Sequence, residues 1–334
     1  MRSLSVMFAL GSFLGLAIAT TTSNSQNATA ARPIAANFSN VTLRIGKQKG
    51  GWDLQLKLAG QDKFPYKVEY KEFTGGNFIL QGINAGALDL GGASEIPPIF
   101  AIESKAAIKI IASRTGPTVG QVVLVPKNST AKKFADLKGK TISYVRATTA
   151  HYFLIKMLEQ EGLTLKDVNA KPLTIPDGLS AFRRGDLSAW ATYGYAIHQA
   201  RKDGAKVFRS AKNILSGNFV IAAAPSAIAD PDKKAAIADF LCRVKKAQNW
   251  QESNIDKWSK TYAQSIGVDE KIVLEDAKEG VKQRRSQLLP ISQKAIASQQ
   301  DVADTFYRAG VIPSKVDVKP LWDASFTNAI NQCK

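Results

Sequence analysis

TISYVRATTAHYFLIKMLEQEG, residues 141–162, holds the pattern on which the fold turns. The β-branched and aromatic run Thr141 to Val145 reads as a strand. A short turn carrying two hydroxyls, Thr148 and Thr149, follows it. Apolar residues then recur at helical spacing, which predicts a helix from His151 to Glu161, and Gly162 ends it as a C-terminal glycine. Strand, tight turn, helix is the unit of an α/β protein.

The same unit recurs on both sides. Strands are expected at Leu43 to Gly46, Lys67 to Phe73, Leu88 to Gly91, Ile108 to Ala112 and Val122 to Val125. Beyond the quoted stretch they are expected at Lys171 to Ile175, Ala189 to Tyr193, Lys206 to Phe208 and Phe219 to Ala223. Helical patterns lie between, such as Asn77 to Ala85 and Tyr195 to Lys202. Such alternation implies parallel sheets covered on both faces. Past Pro225 the pattern becomes helices only: Asp232 to Asn249, Ile255 to Gln264, Glu270 to Leu288, Ser292 to Arg308 and Trp322 to Cys333. Asp230-Pro231 opens the first of these with an acidic cap and an early proline. A chain of 334 residues with 45% hydrophobic content has enough apolar material for two cores. The expected fold class is therefore α/β, two doubly wound lobes with an all-helical C-terminal portion. The first lobe is assigned 41–118 and 225–334, the second 119–224. Ligands of such sheets sit at strand C-terminal ends and helix N-termini.

Met1 to Ala19 has one early cation at Arg2, an apolar run from Val6 to Ile18 and the small-residue site Ala17-Ile18-Ala19, which reads as a secretory signal. Cleavage after Ala28-Thr29-Ala30 is the alternative, and residues 20–40 read as a flexible leader. No cysteine closely follows the apolar run to accept a lipid, so a freely diffusing periplasmic protein is expected. Cys242 and Cys333 are the only cysteines; in an oxidising compartment they either pair or stay free.

The formal charge is +17, which favours anionic surroundings. The lysines and arginines are scattered, with no basic block and no aromatic-interleaved basic motif, so no nucleic-acid partner is expected. Two histidines, His151 and His198, and two cysteines in separate late segments assemble no nucleophilic pair and no metal spacing. Neither catalysis nor a cofactor is expected, and His198 reads as a surface residue.

Three strand-to-helix turns combine backbone N–H groups with small hydroxyls. Phe73-Thr74-Gly75-Gly76-Asn77 lets a ligand approach the backbone, or is an ordinary glycine turn. Gly91 to Pro98 places Ser94 and Glu95 before a proline-started helix, where Ser94 either caps or binds. Val145 to His151 puts Arg146, Thr148 and Thr149 at a helix start, more than capping alone needs.

Leu43-Arg-Ile-Gly-Lys-Gln-Lys-Gly50, Leu88-Asp-Leu-Gly91, Ile96-Pro-Pro-Ile-Phe100, Phe134-Ala-Asp-Leu-Lys-Gly-Lys140, Ser188-Ala-Trp-Ala191 and Gly217-Asn-Phe-Val-Ile-Ala-Ala223 together resemble the periplasmic aliphatic sulfonate-binding proteins of ABC importers. Ala303-Asp-Thr-Phe-Tyr307 and Val311-Ile-Pro-Ser-Lys-Val-Asp317 extend the likeness over nearly the whole chain after the leader. A wider family that binds taurine, nitrate or thiamine precursors shares several of these pieces. The resemblance implies the type II periplasmic binding protein fold, two hinge crossings, an anionic substrate, a membrane permease as partner and a monomeric carrier. It also implies a head group held by hydroxyls, amides and a glutamine, with an aromatic cover on the tail. Carried over by position, the ligand-binding candidates are Gln48, Gly76, Ser94, Glu95, Arg146, Thr148, Thr149, His151, Trp190 and Tyr193. Trp190 has a second reading as a buried core residue, and Gln48 reads equally as a solvated loop amide.

The chain departs from the family at Lys47, where an aromatic residue is usual, at Ala93 within a turn that is usually richer in hydroxyls, and at Tyr193-Gly194-Tyr195, where tryptophan, aspartate and proline are common. An extra cation at Lys47 and the lost acid at Gly194 predict a more positive cleft, suited to a doubly charged or sulfate-ester ligand.

Overall fold

The computed structural model describes residues 37–333; the expected signal and most of the leader lie outside them. In chain order the first elements are β1 (Thr42–Lys47), α1 (Trp52–Leu58), β2 (Lys67–Glu72), α2 (Gly76–Asn84), β3 (Leu90–Ser94), α3 (Pro97–Glu103) and β4 (Lys109–Thr115). The second lobe follows with β5 (Gln121–Val125), β6 (Thr141–Tyr144), α4 (Thr149–Glu159), β7 (Asn169–Pro172), α5 (Ile175–Arg184), β8 (Ala189–Tyr193), α6 (Tyr195–Lys202) and β9 (Lys206–Ser210). The chain then returns through β10 (Asn218–Ala223), α7 (Pro225–Ala229), α8 (Pro231–Ser253), α9 (Ile255–Ile266), α10 (Glu270–Gln283), β11 (Gln287–Leu289), α11 (Gln293–Arg308) and α12 (Thr327–Gln332).

The first sheet runs β11-β4-β10-β3-β1-β2 and the second β7-β6-β8-β5-β9. Each is mixed, not purely parallel as expected. β10 lies antiparallel between β3 and β4, and β5 lies antiparallel between β8 and β9. β10 and β5 are the strands that enter a sheet from the other lobe, so the chain meets that sheet from the opposite end; the edge strand β11 is also antiparallel to its neighbour β4. Assigning β10 to the second lobe is accordingly corrected. The crossings are 116–120 and 211–217, and the second lobe ends before Asn218, not at 224. Phe219 to Ala223 is apolar enough for a buried strand of either sheet, and only its pairing decides between them. The tail is likewise not wholly helical, because β11 adds an edge strand beside β4.

Each lobe has its own core, one around Leu43, Ile45, Ile79 and Phe240, the other around Leu124, Phe153, Leu158 and Trp190. A third cluster joins the lobes: Phe306 of α11 packs on Phe100 of α3, centroids 5.2 Å apart, and on Tyr152 of α4, 5.7 Å apart. Asp89 ties the first sheet to α8. It is buried, and although burial works against its ionisation, bonds from Arg44 and Lys233 hold its carboxyl below the ordinary range. Asp230 caps α8 by accepting from the N–H groups of Asp232 and Lys233, with Pro231 in the first turn. Cys242 of α8 is disulfide-bonded to Cys333, Cα atoms 5.4 Å apart. Among the described residues no helix is long and apolar enough to cross a membrane.

Candidate functional site

A cavity of about 500 Å³ lies between the lobes, where the strand ends of the first sheet face the starts of α4 and α6. Its polar wall begins on the sheet. Register places Arg114 of β4 opposite Phe219 of β10, and Phe219 opposite Ser94 of β3. The three form one row, and strands lie about 4.8 Å apart, so Arg114 stands roughly 10 Å from Ser94 at the backbone. Its guanidinium leans over the intervening ring, with Cζ 4.5 Å from the Phe219 centroid, which carries the charge toward Ser94. Arg114 has no carboxylate partner and no side-chain hydrogen bond among the described residues. Burial pushes its pKa down to about 10. A desolvated cation without a counter-ion is costly unless a ligand supplies the negative charge.

Two helix starts contribute backbone donors. α2 begins at Gly76 behind Gly75, with no side-chain cap, so its first N–H groups stay available. A side chain at Gly76 would bring a Cβ within 2.8 Å of the Ala93 Cβ, so glycine is what lets this helix start sit on the strand edge. α4 begins differently. The Thr148 hydroxyl donates to Val145 O at 2.7 Å and accepts from the Ala150 N–H at 3.2 Å. Thr148 is therefore spent on capping the helix and closing the turn before it. Thr149 is buried with its hydroxyl unpaired among the described residues, and both threonines line the cavity. The turn before them passes through Ala147 at a φ of 58°, the left-handed region that non-glycine residues seldom occupy.

Of the residues picked from the sequence, Gln48, Gly76, Ser94, Thr148, Thr149 and Tyr193 line the cavity. The others do not. Trp190 is wholly buried in the second lobe, near Phe182 and so close to Gly178 that a Cβ there would lie 2.6 Å from its Nε1. His151 is on the buried face of α4, stacked on Tyr144 at 4.6 Å and against Phe306; burial, then the charge of Arg146, pushes its pKa down to about 4, leaving it neutral. Arg146 is exposed outside the cavity. Glu95 is buried at the second crossing, where its carboxylate accepts from Ser216 and from Asn218 Nδ2; burial raises its pKa.

Lys47 lines the cavity but adds no free charge, because its Nζ is 2.9 Å from Asp53 and 2.8 Å from Glu72. The extra cation expected at Lys47 is therefore neutralised, and the cavity-lining cation without a carboxylate partner among the described residues is Arg114. His198 is not a surface residue either. It lines the cavity with Nδ1 3.2 Å from Asp276 Oδ2, and Asp276 also receives Arg201 at 2.7 Å. Burial opposes ionisation of Asp276, yet contacts from His198 and Arg201 hold its pKa below the ordinary carboxylate range. This link joins α10, which belongs to the first lobe's chain, to α6 of the second.

The C-terminal end of α10 meets both crossings. Gln283 Oε1 accepts from the N–H groups of Thr118 and Val119 at 2.8 and 3.2 Å, and Arg284 donates to Ser216 O. The residues missed in the sequence are Arg114, Gln121 and the aromatic wall of Trp52, Phe219, Trp258 and Tyr262. One signal was available: Trp258 and Tyr262 are spaced i, i+4, on one face of α9.

Comparison with known proteins gives a consistent result. The family profile described as the periplasmic substrate-binding protein of phosphonate ABC transporters matches residues 61–265. The alkanesulfonate-binding protein of Xanthomonas axonopodis pv. citri, solved bound to MOPS, is 27% identical, with a TM-score of 0.77 over 87% of this chain and 99% of that one. The periplasmic aliphatic sulphonate binding protein of Escherichia coli is 27% identical, with a TM-score of 0.72 over 85% and 92% of the two chains. A desulfurization enzyme, 13% identical with a TM-score of 0.61 over 88% of this chain and 99% of that one, shares the fold alone.

Proposed function

The chain belongs to the family of periplasmic substrate-binding proteins of phosphonate ABC transporters, and on that premise we propose that it captures an organic sulfonate between its lobes and delivers it to a membrane permease. The observation that carries this reading is Arg114, a desolvated guanidinium with no counter-ion among the described residues, in a cavity that also receives the uncapped start of α2 and the free hydroxyl of Thr149. All three favour a negative tetrahedral group.

The sulfonate is preferred to the phosphonate because of what the wall lacks. A phosphonate that keeps one proton needs an acceptor for it, whereas a sulfonate is fully ionised and needs donors only. The carboxylates of the wall are committed: Asp276 to Arg201 and His198, Glu252 to the N–H of Ser286 and, at 3.8 Å, to Arg285. The Gln121 amide, whose oxygen is buried without a partner among the described residues, can be turned so that its nitrogen donates to the ligand, which again suits a group that needs donors only. The protein acts as a carrier rather than an enzyme, in keeping with both its cysteines being joined in one disulfide, so that it has no thiol nucleophile. We place it in the periplasm as a monomer that closes on its ligand by bending at residues 116–120 and 211–217.

Calorimetric titration with a matched pair, propanesulfonate and propylphosphonate, tests this. Tight binding at one ligand per chain, with the sulfonate preferred at least tenfold, is expected. A preference for the phosphonate refutes the sulfonate reading, as does failure of every sulfonate tried, aromatic ones included, to bind.

A further inference from the structure

Resting on the anion-binding reading, we infer that the natural ligand carries a flat, ring-bearing tail and is not a short alkyl sulfonate. The cavity wall is too aromatic for a head group with a two-carbon tail. Trp258 and Tyr262 project from successive turns of α9 with their rings 12° from parallel and 5.5 Å apart. Both line the cavity, together with Trp52, Phe219, Ile255 and Val273.

These aromatic surfaces are held in place before any ligand arrives. Trp52 packs edge-on against Phe240 at 5.6 Å, and its ring lies over Gly92, where an added Cβ would stand 3.1 Å from it. Tyr262 lies over Gly50, where a side chain would collide with the ring. Burial pushes the Tyr262 pKa up to about 12, so its ring stays neutral and apolar. A fixed parallel pair of rings takes a third ring on its face or against its edge, which a flexible two-carbon chain cannot exploit. A short tail would leave most of this wall against water, and the slot would add nothing to its affinity.

Calorimetry on the full chain with naphthalene-2-sulfonate, benzenesulfonate, ethanesulfonate and taurine tests the inference, repeated on Trp258→Leu and Tyr262→Leu. The wild type is expected to bind naphthalene-2-sulfonate at least tenfold tighter than ethanesulfonate, with benzenesulfonate between them. In each folded variant the ratio should fall below about threefold. Equal or tighter binding of ethanesulfonate or taurine by the wild type overturns the inference while leaving the anion-binding reading intact. Survival of the full ratio in both variants also overturns it. Should neither variant fold, the wild-type ratios decide. If no sulfonate binds at all, the functional reading fails and this inference falls with it.

Discussion

Replacing Arg114 by methionine should move affinity and stability in opposite directions. Burial depresses the Arg114 pKa to about 10, two to three units below that of an exposed arginine. At about 1.4 kcal/mol per unit this corresponds to roughly 3 kcal/mol of unfavourable burial. Partial exposure to the cavity reduces that figure, and the stack on Phe219 returns about 0.5–1 kcal/mol. Arg114→Met should therefore stabilise the ligand-free protein by about 1–2 kcal/mol. In the complex the guanidinium's bonds to the anion are charge-assisted and worth about 1.5–3 kcal/mol each. Their loss, less what the methionine recovers by packing, should weaken binding by about 2–4 kcal/mol, or roughly 30- to 700-fold. Titration calorimetry with propanesulfonate and urea denaturation of the ligand-free variant measure the two effects. Affinity within threefold of the wild type would refute the placement of the anion. A loss of ligand-free stability would show that Arg114 holds the fold rather than the ligand.

The two threonines should separate. Thr149→Val should weaken propanesulfonate binding by about 1–2 kcal/mol with little effect on unfolding, whereas Thr148→Val should cost about 1–2 kcal/mol of stability through the lost cap of α4. Binding should also depend on pH with a definite sign. The ligand selects charged Arg114, so affinity measured by titration is expected to hold below the free pKa of about 10 and to fall, toward tenfold per pH unit, as pH rises through it. Substituting both Cys242 and Cys333 by serine should lower unfolding free energy by about 2–5 kcal/mol, because the cross-link spans 91 residues. A change under 1 kcal/mol in denaturant titration would show that the closed loop does little.

Most strand and helix positions were readable because each rests on local periodicity, but the strand expected at Lys171 to Ile175 ends at Pro172 with Ile175 opening α5, and the helix expected at Glu270 to Leu288 ends at Gln283 before β11. The run from Thr141 to Tyr144 and the helix after Thr148 are where the pattern puts them. Sheet membership was not readable, since Phe219 to Ala223 alternates identically whether it pairs with β3 or with a strand of the other lobe. Turn chemistry pointed to the helix starts at Gly76 and Thr149, where orphan N–H groups are a property of the backbone. What a side chain does inside the cleft depends on its partners, and those are distant in sequence. Lys47 looked like a free cation until Glu72 and Asp53 were brought to it; Glu95 looked like a ligand contact until Ser216 and Asn218 closed on it at the hinge. Arg114 shows the converse. It fell just beyond the strand expected at Ile108 to Ala112, and what favours an anion beside it is the lack of a carboxylate partner among the described residues, which no sequence pattern records.

A crystal structure of the protein with propanesulfonate decides where the anion sits. Sulfonate oxygens are expected within hydrogen-bonding distance of the Arg114 guanidinium and of N–H groups at the starts of α2 and α4, with the alkyl chain directed along Trp258 and Tyr262. A sulfonate bound elsewhere, with Arg114 still unpaired, would contradict that placement.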